Sequence, residues 1–522
     1  MNRVDMLYQL RQRETPWDVA VIGGGATGLG AAVDAASRGY DVCLLEKADF
    51  AKGTSSRSTK LVHGGVRYLQ QGNITLVMEA LRERGRLLKN APHIVRDLAF
   101  IVPSYQWWES PWYGIGLKVY DTLAGRYGFG KSSYLSRDKL IEAIPSISQK
   151  GLRGGTRYYD GQFDDARLAI NLAQTAAEQG ATVVNYCGVT ELIKNDEGLV
   201  EGVMARDYET DETFNIFAHS VINATGPFSD EIRRMDHGKA GSIIKPSQGT
   251  HIVLDRSFLP CDSAIMVPHT SDGRVMFAIP WHNVCVVGTT DVPIDRIEQE
   301  PEPTDDEIDF ILETANRYLA KRAGRADICS VFAGIRPLVK EGGDESTASV
   351  SRDHSILIDQ NSGLITIAGG KWTTYRRMAE EVIDNAATLA DLEPRRCVTR
   401  ELPIHGYHNY PQRFGELRHY GSDATQIRQI AYDQPKLAEP IHPRLPTIGA
   451  EVIWACRHEM ARTLEDVLSR RTRCLLFDAA AASEAAPTVA ALMAKEFDYS
   501  EAWAQREVAS FQALAERYLP KR

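Results

Sequence analysis

Residues 17–48 read WDVAVIGGGATGLGAAVDAASRGYDVCLLEKA. The apolar run Val19 to Ile22 reads as a short buried strand. Gly23, Gly25 and Gly28 follow in the spacing G-x-G-x-x-G, and an alanine-rich helical stretch then runs to Arg38-Gly39. A second apolar run, Val42 to Leu45, ends on Glu46. Each part has a physical use. The glycines allow a tight turn, approach of backbone to a pyrophosphate, and close packing of helix on strand. The helix N-terminus then presents unpaired N–H groups to the phosphates. An acid about 20 residues on accepts hydrogen bonds from a ribose. Strand, turn, helix, strand and acid in this order predict a dinucleotide-binding α/β unit. Glu46 argues against a 2′-phosphate and hence against NADP, but leaves FAD and NAD open.

The chain has 522 residues, enough for two or three domains. Its 43% hydrophobic and 25% charged composition is that of an ordinary globular protein. A net charge of −9 argues against general nucleic-acid binding. The eight cysteines are scattered, without C-x-x-C or metal-ligand spacing. They read as reduced cysteines of a cytosolic protein, and no metal site is expected. The N-terminal stretch MNRVDMLYQLRQRETPWD is charged throughout and lacks the apolar core of a secretion signal. No stretch approaches the roughly 20 apolar residues that cross a bilayer. A soluble chain, at most peripheral to a membrane, is expected.

Two later stretches return to the nucleotide. SVINATGPFSDEI places Val221-Ile222 before Ala224 and Gly226, a second strand-to-turn approach. LITIAGGKWTTYRRMAEEV, from Leu364, repeats strand, glycine turn and helix around Gly370. Such return visits suit a long cofactor with two ends, adenosine at the first turn and flavin at the last.

Here the sequence resembles the FAD-dependent, quinone-linked glycerol-3-phosphate dehydrogenase family. IGGGATGLGAAVDAASRG and GGKWTTYRRMA are similar to its two signature stretches, and SSRSTKLVHGGVRYL, DDARL, GTHIV, IPW, VVGTTDVP and GIRPL fall in the family's order. The likeness runs from about residue 17 to 390 and continues more weakly through EDVLSRRTR. It implies oxidation of sn-glycerol 3-phosphate to dihydroxyacetone phosphate, with electrons passing from the reduced flavin to a membrane quinone. Besides the first-turn glycines, Glu46, Ala224 and Gly226, it implies cofactor contacts at Thr54, Ser55, Ser58, Gly64, Gly65, Gly370, Lys371, Thr373 and Thr374. Arg67, Arg336 and Lys371 would hold the substrate, with Tyr68 a further contact beside Arg67. A phosphomonoester needs fixed cations, and the arginine fork matches its oxygens. His251 is the candidate base, with Arg336 and Lys371 completing the catalytic set. On the residues alone, a histidine at a strand start is more often structural, and Arg336 could simply pair with an acid.

The expected architecture is an α/β Rossmann-like FAD-binding domain assembled from 17–80, 155–230 and 330–395. An α+β substrate cap takes 81–154 and 231–329, and a C-terminal helical domain takes 401–522. In the FAD-binding domain Asp164 or Asp165 is expected to cap a helix, and in the substrate cap Thr304 with Glu307 forms a capping box. Residues 104–131 carry Trp107, Trp108 and Trp112 among tyrosines and cations. They read as cap-domain core, or as a bilayer-facing surface. The resemblance favours peripheral contact with membrane lipid, at the cytoplasmic face of the inner membrane. A homodimer is the assembly considered, and the C-terminal helices are given packing or assembly. Three rival readings stand beside this one: a glycerol-3-phosphate oxidase reducing oxygen, an amine or amino-acid oxidase on the same fold, and a non-enzymatic nucleotide-binding scaffold.

Overall fold

The computed structural model describes residues 1–66, 69, 73–106, 109–268, 270, 273–340 and 354–521, without the side chains of 110–112 and 126. Arg67, Tyr68, Trp107 and Trp108 lie outside the described residues, and the Trp112 side chain with them.

The strand Trp17–Ile22 is the centre of the first sheet. Val42–Leu45 pairs parallel on one side of it and Thr213–Asn223 parallel on the other. Thr182–Val184 and Ile365–Gly369 extend the two flanks, also parallel. Both faces are covered, which is why these strands read as unbroken apolar runs rather than alternating ones. Helices Ala26–Ser37, Asp165–Glu178 and Tyr375–Leu389 cover one face, burying Val19, Val21 and Leu44. On the other face, Ala20, Ile22 and Leu45 pack against Leu7 and Leu10 of the N-terminal helix and against Val203 and Ile216. The latter two belong to an antiparallel meander, Cys187–Lys194, Val200–Asp207 and Thr213–Asn223.

The second sheet is largely antiparallel and built around Ile244–Asp255 paired with Ile328–Val339. Gly154–Gln162 pairs with Arg96–Ser104, and Leu61–Val62 pairs with Gly154–Gln162. The strand at 61–62 and nearly all of those at 154–162 and 328–339 fall within the boundaries expected for the FAD module, yet they hydrogen-bond in this second sheet. Helix Asp305–Tyr318 covers it with Ile308, Ile311, Leu312 and Ala315, and starts with the capping box of Thr304 and Glu307. Asp164 caps the helix Asp165–Glu178, accepting from Arg167 N at 3.0 Å.

The C-terminal region is helical, with Gly449–His458, Ala479–Phe497 and Glu501–Glu516 as its longest described helices after residue 440. It is not walled off. Val253, Trp281, Val286 and Phe332 of the second sheet share one core with Leu464, Leu468, Leu475 and Val489. Within the helix Glu109–Ala124, Tyr113, Leu117 and Tyr120 face the core, whereas Ile115 and Val119 are exposed. Among the described residues no helix is long and apolar enough to cross a membrane.

Charges cross the same joint. Asp49 follows the strand Val42–Leu45 and receives Arg470 and Arg471 from the single π-turn Asp466–Arg471; all three side chains are buried. Burial works to raise the Asp49 carboxyl, but Arg471 and Arg470 outweigh it and hold it below the usual range. Removing one partner of such a buried group strands the others, at about 3–5 kcal/mol. Asp49→Ala is therefore expected to lose about that much stability in a denaturant titration, and a loss under 1 kcal/mol would contradict the buried pairing.

Candidate active site

Gly23 has φ +108°, open to glycine and strained for other residues. A side chain there would also meet Ala224 O at 2.8 Å, so the first turn and the Ala224 turn touch through bare backbone. A Cβ on Gly28 would overlap Gly23 O, which is the close helix–strand approach that the third glycine permits. Gly25 stands at the N-cap of Ala26–Ser37 and supplies no side-chain cap. The N–H groups of that first turn are left for an anion, apart from Ala26 N, which donates to Ser55 Oγ at 2.9 Å.

These turns open on a cavity of about 420 Å³, within the range of cofactor sites. Gly23, Gly25, Glu46, Thr54, Ser55, Ala224, Gly226, Gly370 and Lys371 all line it. It lies at the carboxyl ends of Trp17–Ile22, Val42–Leu45, Thr213–Asn223 and Ile365–Gly369. The strand order reverses beside the first of these, which is the crevice where open α/β sheets bind ligands. Glu46 accepts from Gly24 N at 2.6 Å and Ala48 N at 2.8 Å, so the backbone fixes its carboxylate at the cavity wall. Burial nonetheless pushes this carboxyl above its ordinary range.

The other cofactor candidates are placed behind the wall. Gly28 packs on the turn. Ser58 gives both N and Oγ to Asp165, at 2.9 and 2.7 Å. Gly64 N donates to Tyr120 Oη at 2.9 Å, and Gly65 has φ +78°. Thr373 Oγ1 accepts from His63 N at 3.1 Å, and Thr374 Oγ1 donates to Lys371 O at 3.3 Å. Thr373 thus ties the Gly370 turn to His63, while Thr374 bonds within that turn.

Arg336 lies opposite Ser247 on the paired central strands of the second sheet, next to Pro337 of the cavity wall. Its guanidinium donates to Thr290 O at 3.1 Å and Thr289 Oγ1 at 3.2 Å, and pairs with Asp291 at 3.3 Å. A Cβ on Gly249 would strike that guanidinium, so glycine leaves it its bed. The GTTD turn, Gly288 to Asp291, is therefore the mount of this arginine. His251 stands on the same strand as Ser247, between Gly288 and Phe332. Its ring stacks on Phe332 at 4.7 Å, and Nε2 lies 3.0 Å from Thr59 Oγ1. Burial, then the charges of Lys60 and Arg336, hold this imidazole well below its usual pKa. The imidazole is thereby kept neutral.

Three comparisons bear on this site. Residues 18–376 match the family described as FAD dependent oxidoreductase, and 397–504 the C-terminal domain of alpha-glycerophosphate oxidase. The chain is 40% identical to the mitochondrial glycerol-3-phosphate dehydrogenases of Rattus norvegicus and Arabidopsis thaliana, covering 95% and 96% of itself and 73% and 86% of theirs. A crystal structure of glycerol-3-phosphate dehydrogenase from Bacillus halodurans complexed with FAD superimposes with TM-score 0.81 at 31% identity, covering 99% of this chain and 98% of that one.

The chain belongs to the FAD-dependent glycerol-3-phosphate dehydrogenase family.

FAD is accordingly its cofactor, and the residues present fit it. The bare turn at Gly23 and Gly25 leaves the room that a pyrophosphate needs, and Glu46 presents a carboxylate at the cavity wall, a group of the kind that accepts from a ribose. The sequence missed the underside of the site, where Lys60, Asp165 and Arg473 meet in the interior. Only the adjacent acids of DDARL and the arginines of SRRTR hinted at it. Gly28→Ala should yield a protein that purifies with less than a tenth of the parental flavin, measured from the 450 nm absorbance of the folded protein. Full flavin content would contradict the packing at this turn.

Proposed function

We propose that the protein oxidises sn-glycerol 3-phosphate to dihydroxyacetone phosphate and passes the electrons to a membrane quinone. The observation that carries this reading is the pre-set Arg336, mounted on Thr289, Thr290 and Asp291 beside the wall that also holds Lys371. A cation already fixed by its own partners costs little ordering when a phosphate arrives. Its planar fork matches two phosphate oxygens.

When bound, FAD supplies the hydride acceptor for the secondary alcohol. The chain supplies charge, orientation and a proton acceptor. Arg336 and Lys371 hold the anionic substrate against the cavity wall, a role shared with Arg67 and Tyr68. His251 takes the hydroxyl proton. With Nε2–H donating to Thr59 Oγ1, the lone pair is on Nδ1, a buried atom without a hydrogen-bond partner among the described residues. That nitrogen is the proton acceptor in this scheme. Thr373 and Thr374 brace the turn that carries Lys371.

A quinone lives in lipid, so this reading places the protein peripherally on the cytoplasmic face of the inner membrane, with a homodimer as its assembly. The exposed Ile115 and Val119 of helix Glu109–Ala124 are the apolar side chains offered for that contact. A second reading, oxygen as acceptor, is favoured by one observation: the C-terminal match is to a domain of alpha-glycerophosphate oxidase.

Anaerobic mixing with glycerol 3-phosphate should bleach the flavin, and glycine-like amines should not. Under air, less than a tenth of a peroxide per turnover supports the quinone reading; one per turnover supports the oxidase. Arg336→Ala should keep its flavin and lose more than 90% of turnover, while near-parental turnover would remove Arg336 from the site. For His251→Ala the anaerobic reduction rate should fall at least a hundredfold, in line with loss of a general base. Flotation with anionic liposomes at low salt should carry the protein upward.

A further inference from the structure

Beneath His251 lies a cluster that the scheme above leaves unused. Lys60 is fully buried, and its Nζ donates to Ser56 O and to Asp165 Oδ2, each at 2.8 Å. Arg473 reaches the same two groups from the C-terminal region, with Nη2 2.9 Å from Ser56 O and 2.9 Å from Asp165 Oδ1. Two cations therefore share one carboxylate and one carbonyl in a dry interior, where an unpaired ammonium would be costly. Aromatic faces complete the cage. The Lys60 ammonium lies 5.0 Å from the Phe332 ring centroid and 5.4 Å from that of Trp281. Phe332 is the ring that His251 stacks on, and Thr59, next to Lys60 in the chain, is the partner of His251 Nε2.

We propose that Lys60 is a positioning residue for His251: its ammonium, seated by Asp165 and Arg473, fixes Thr59 on Nε2 and opposes a second positive charge on the imidazole. The inference rests on His251 acting as the proton acceptor. Lys60 meets the physical requirements. It is close enough to bear on the ring through one side chain and one aromatic face. It is sealed from water, and Asp165 favours its charged form although burial, with Arg473 adding to it, draws its pKa down to about 7, so the charge is full only at pH values below that, where the acid limb lies. From the other side, Arg336 acts on the imidazole in the same sense, with Asp291 behind it. Asp164, adjacent to Asp165, is turned to His282 at 3.5 Å and to Arg473 at 3.7 Å. Among the groups named, Lys60 and Arg336 are the charges that bear on His251. No carboxylate among them bonds the ring directly, so nothing pulls a proton onto the empty base.

The sign of the effect is fixed by electrostatics. Taking away a nearby cation makes it easier for His251 to hold a proton, so its midpoint rises and the neutral base is lost at a higher pH. In the Lys60→Met holoenzyme, the acid limb of anaerobic flavin reduction at saturating glycerol 3-phosphate should move up by about one pH unit. Lys60→Arg, which keeps the charge, should leave the limb at its parental position. Asp165 retains Arg473 and both donors of Ser58 in these variants, so the loop keeps most of its anchors. Should Lys60→Met not fold, Lys60→Gln replaces it, since its amide can still donate to Ser56 O.

A second readout needs no turnover. In the ¹³C-histidine NMR spectrum of the substrate-free holoenzyme, the His251 signal is the one absent from His251→Gln. Its titration midpoint should rise in Lys60→Met or Lys60→Gln by the same increment as the kinetic limb. A uniform loss of rate at every pH, with limb and midpoint in place, makes Lys60 a packing residue and overturns the proposal. If His251→Gln reduces its flavin at the parental rate, the base assignment fails instead, and the NMR midpoint still shows whether Lys60 acts on the ring.

Discussion

Two buried aspartates tie the flavin-binding sheet to the rest of the chain. Asp49, just past the strand that ends in Glu46, is gripped by Arg470 and Arg471. Asp165, at the start of a helix packed on the same sheet, is gripped by Lys60 and Arg473. Each carboxylate offers about four acceptor sites, and here several donors converge on them. Between these anchors runs the segment that contributes Thr54 and Ser55 to the cavity and Thr59 to His251. An aspartate in water would need none of this. In a dry core, the pairing is obligatory and so dictates where the segment lies.

That constraint gives the C-terminal region a place in the chemistry. Its helices share one hydrophobic core with the second sheet, which alone could be read as packing. The π-turn Asp466–Arg471 and the following Arg473 do more, because they carry three cations into the flavin-binding half. Arg473 itself adopts a left-handed conformation, φ +64°, uncommon for a side chain of its size. The strain is compensated by two hydrogen bonds to Ser56 O and Asp165 made from one nitrogen.

What could be read in the sequence was local. The G-x-G-x-x-G turn, the acid at Glu46, the capping box at Thr304 and the glycine turn at Gly370 each depend on residues a few positions apart. The sequence pattern could not show that Leu61–Val62, Gly154–Gln162 and Ile328–Val339 join the second sheet. Those pairings link residues far apart in the chain, and a strand alternates in the same way whichever partner it finds. The site divided along the same line. Glycines whose lack of a side chain is the message, Gly23 and Gly28, were legible. The pair Asp164–Asp165 was legible only in part: Asp164 caps the helix, as such a residue should, while its neighbour turns inward to Lys60 and Arg473. Nothing in the spacing separates an acid that caps from an acid that anchors. The mount of Arg336 was equally hidden, since Asp291 meets it only after a strand has folded back.

The charges around His251 also bear on when it is basic. Lys60 and Arg336 both disfavour a proton on the ring, so an empty site holds a neutral but weak base. In the scheme proposed above, an anion placed against Arg336 would offset one of these two charges, while Lys60, packed against Phe332 and Trp281, would keep its own. The proton affinity of His251 would then rise as a phosphate settles there, without any movement of the ring. Through-space coupling of this kind needs low dielectric and fixed distances. The stack on Phe332 and the contact with Thr59 fix the imidazole, and the Thr289–Asp291 turn fixes the arginine. On the proposed scheme, a base tuned in this way would gain strength from the group that identifies the substrate, so recognition of the phosphate and readiness to accept the proton would be one electrostatic event.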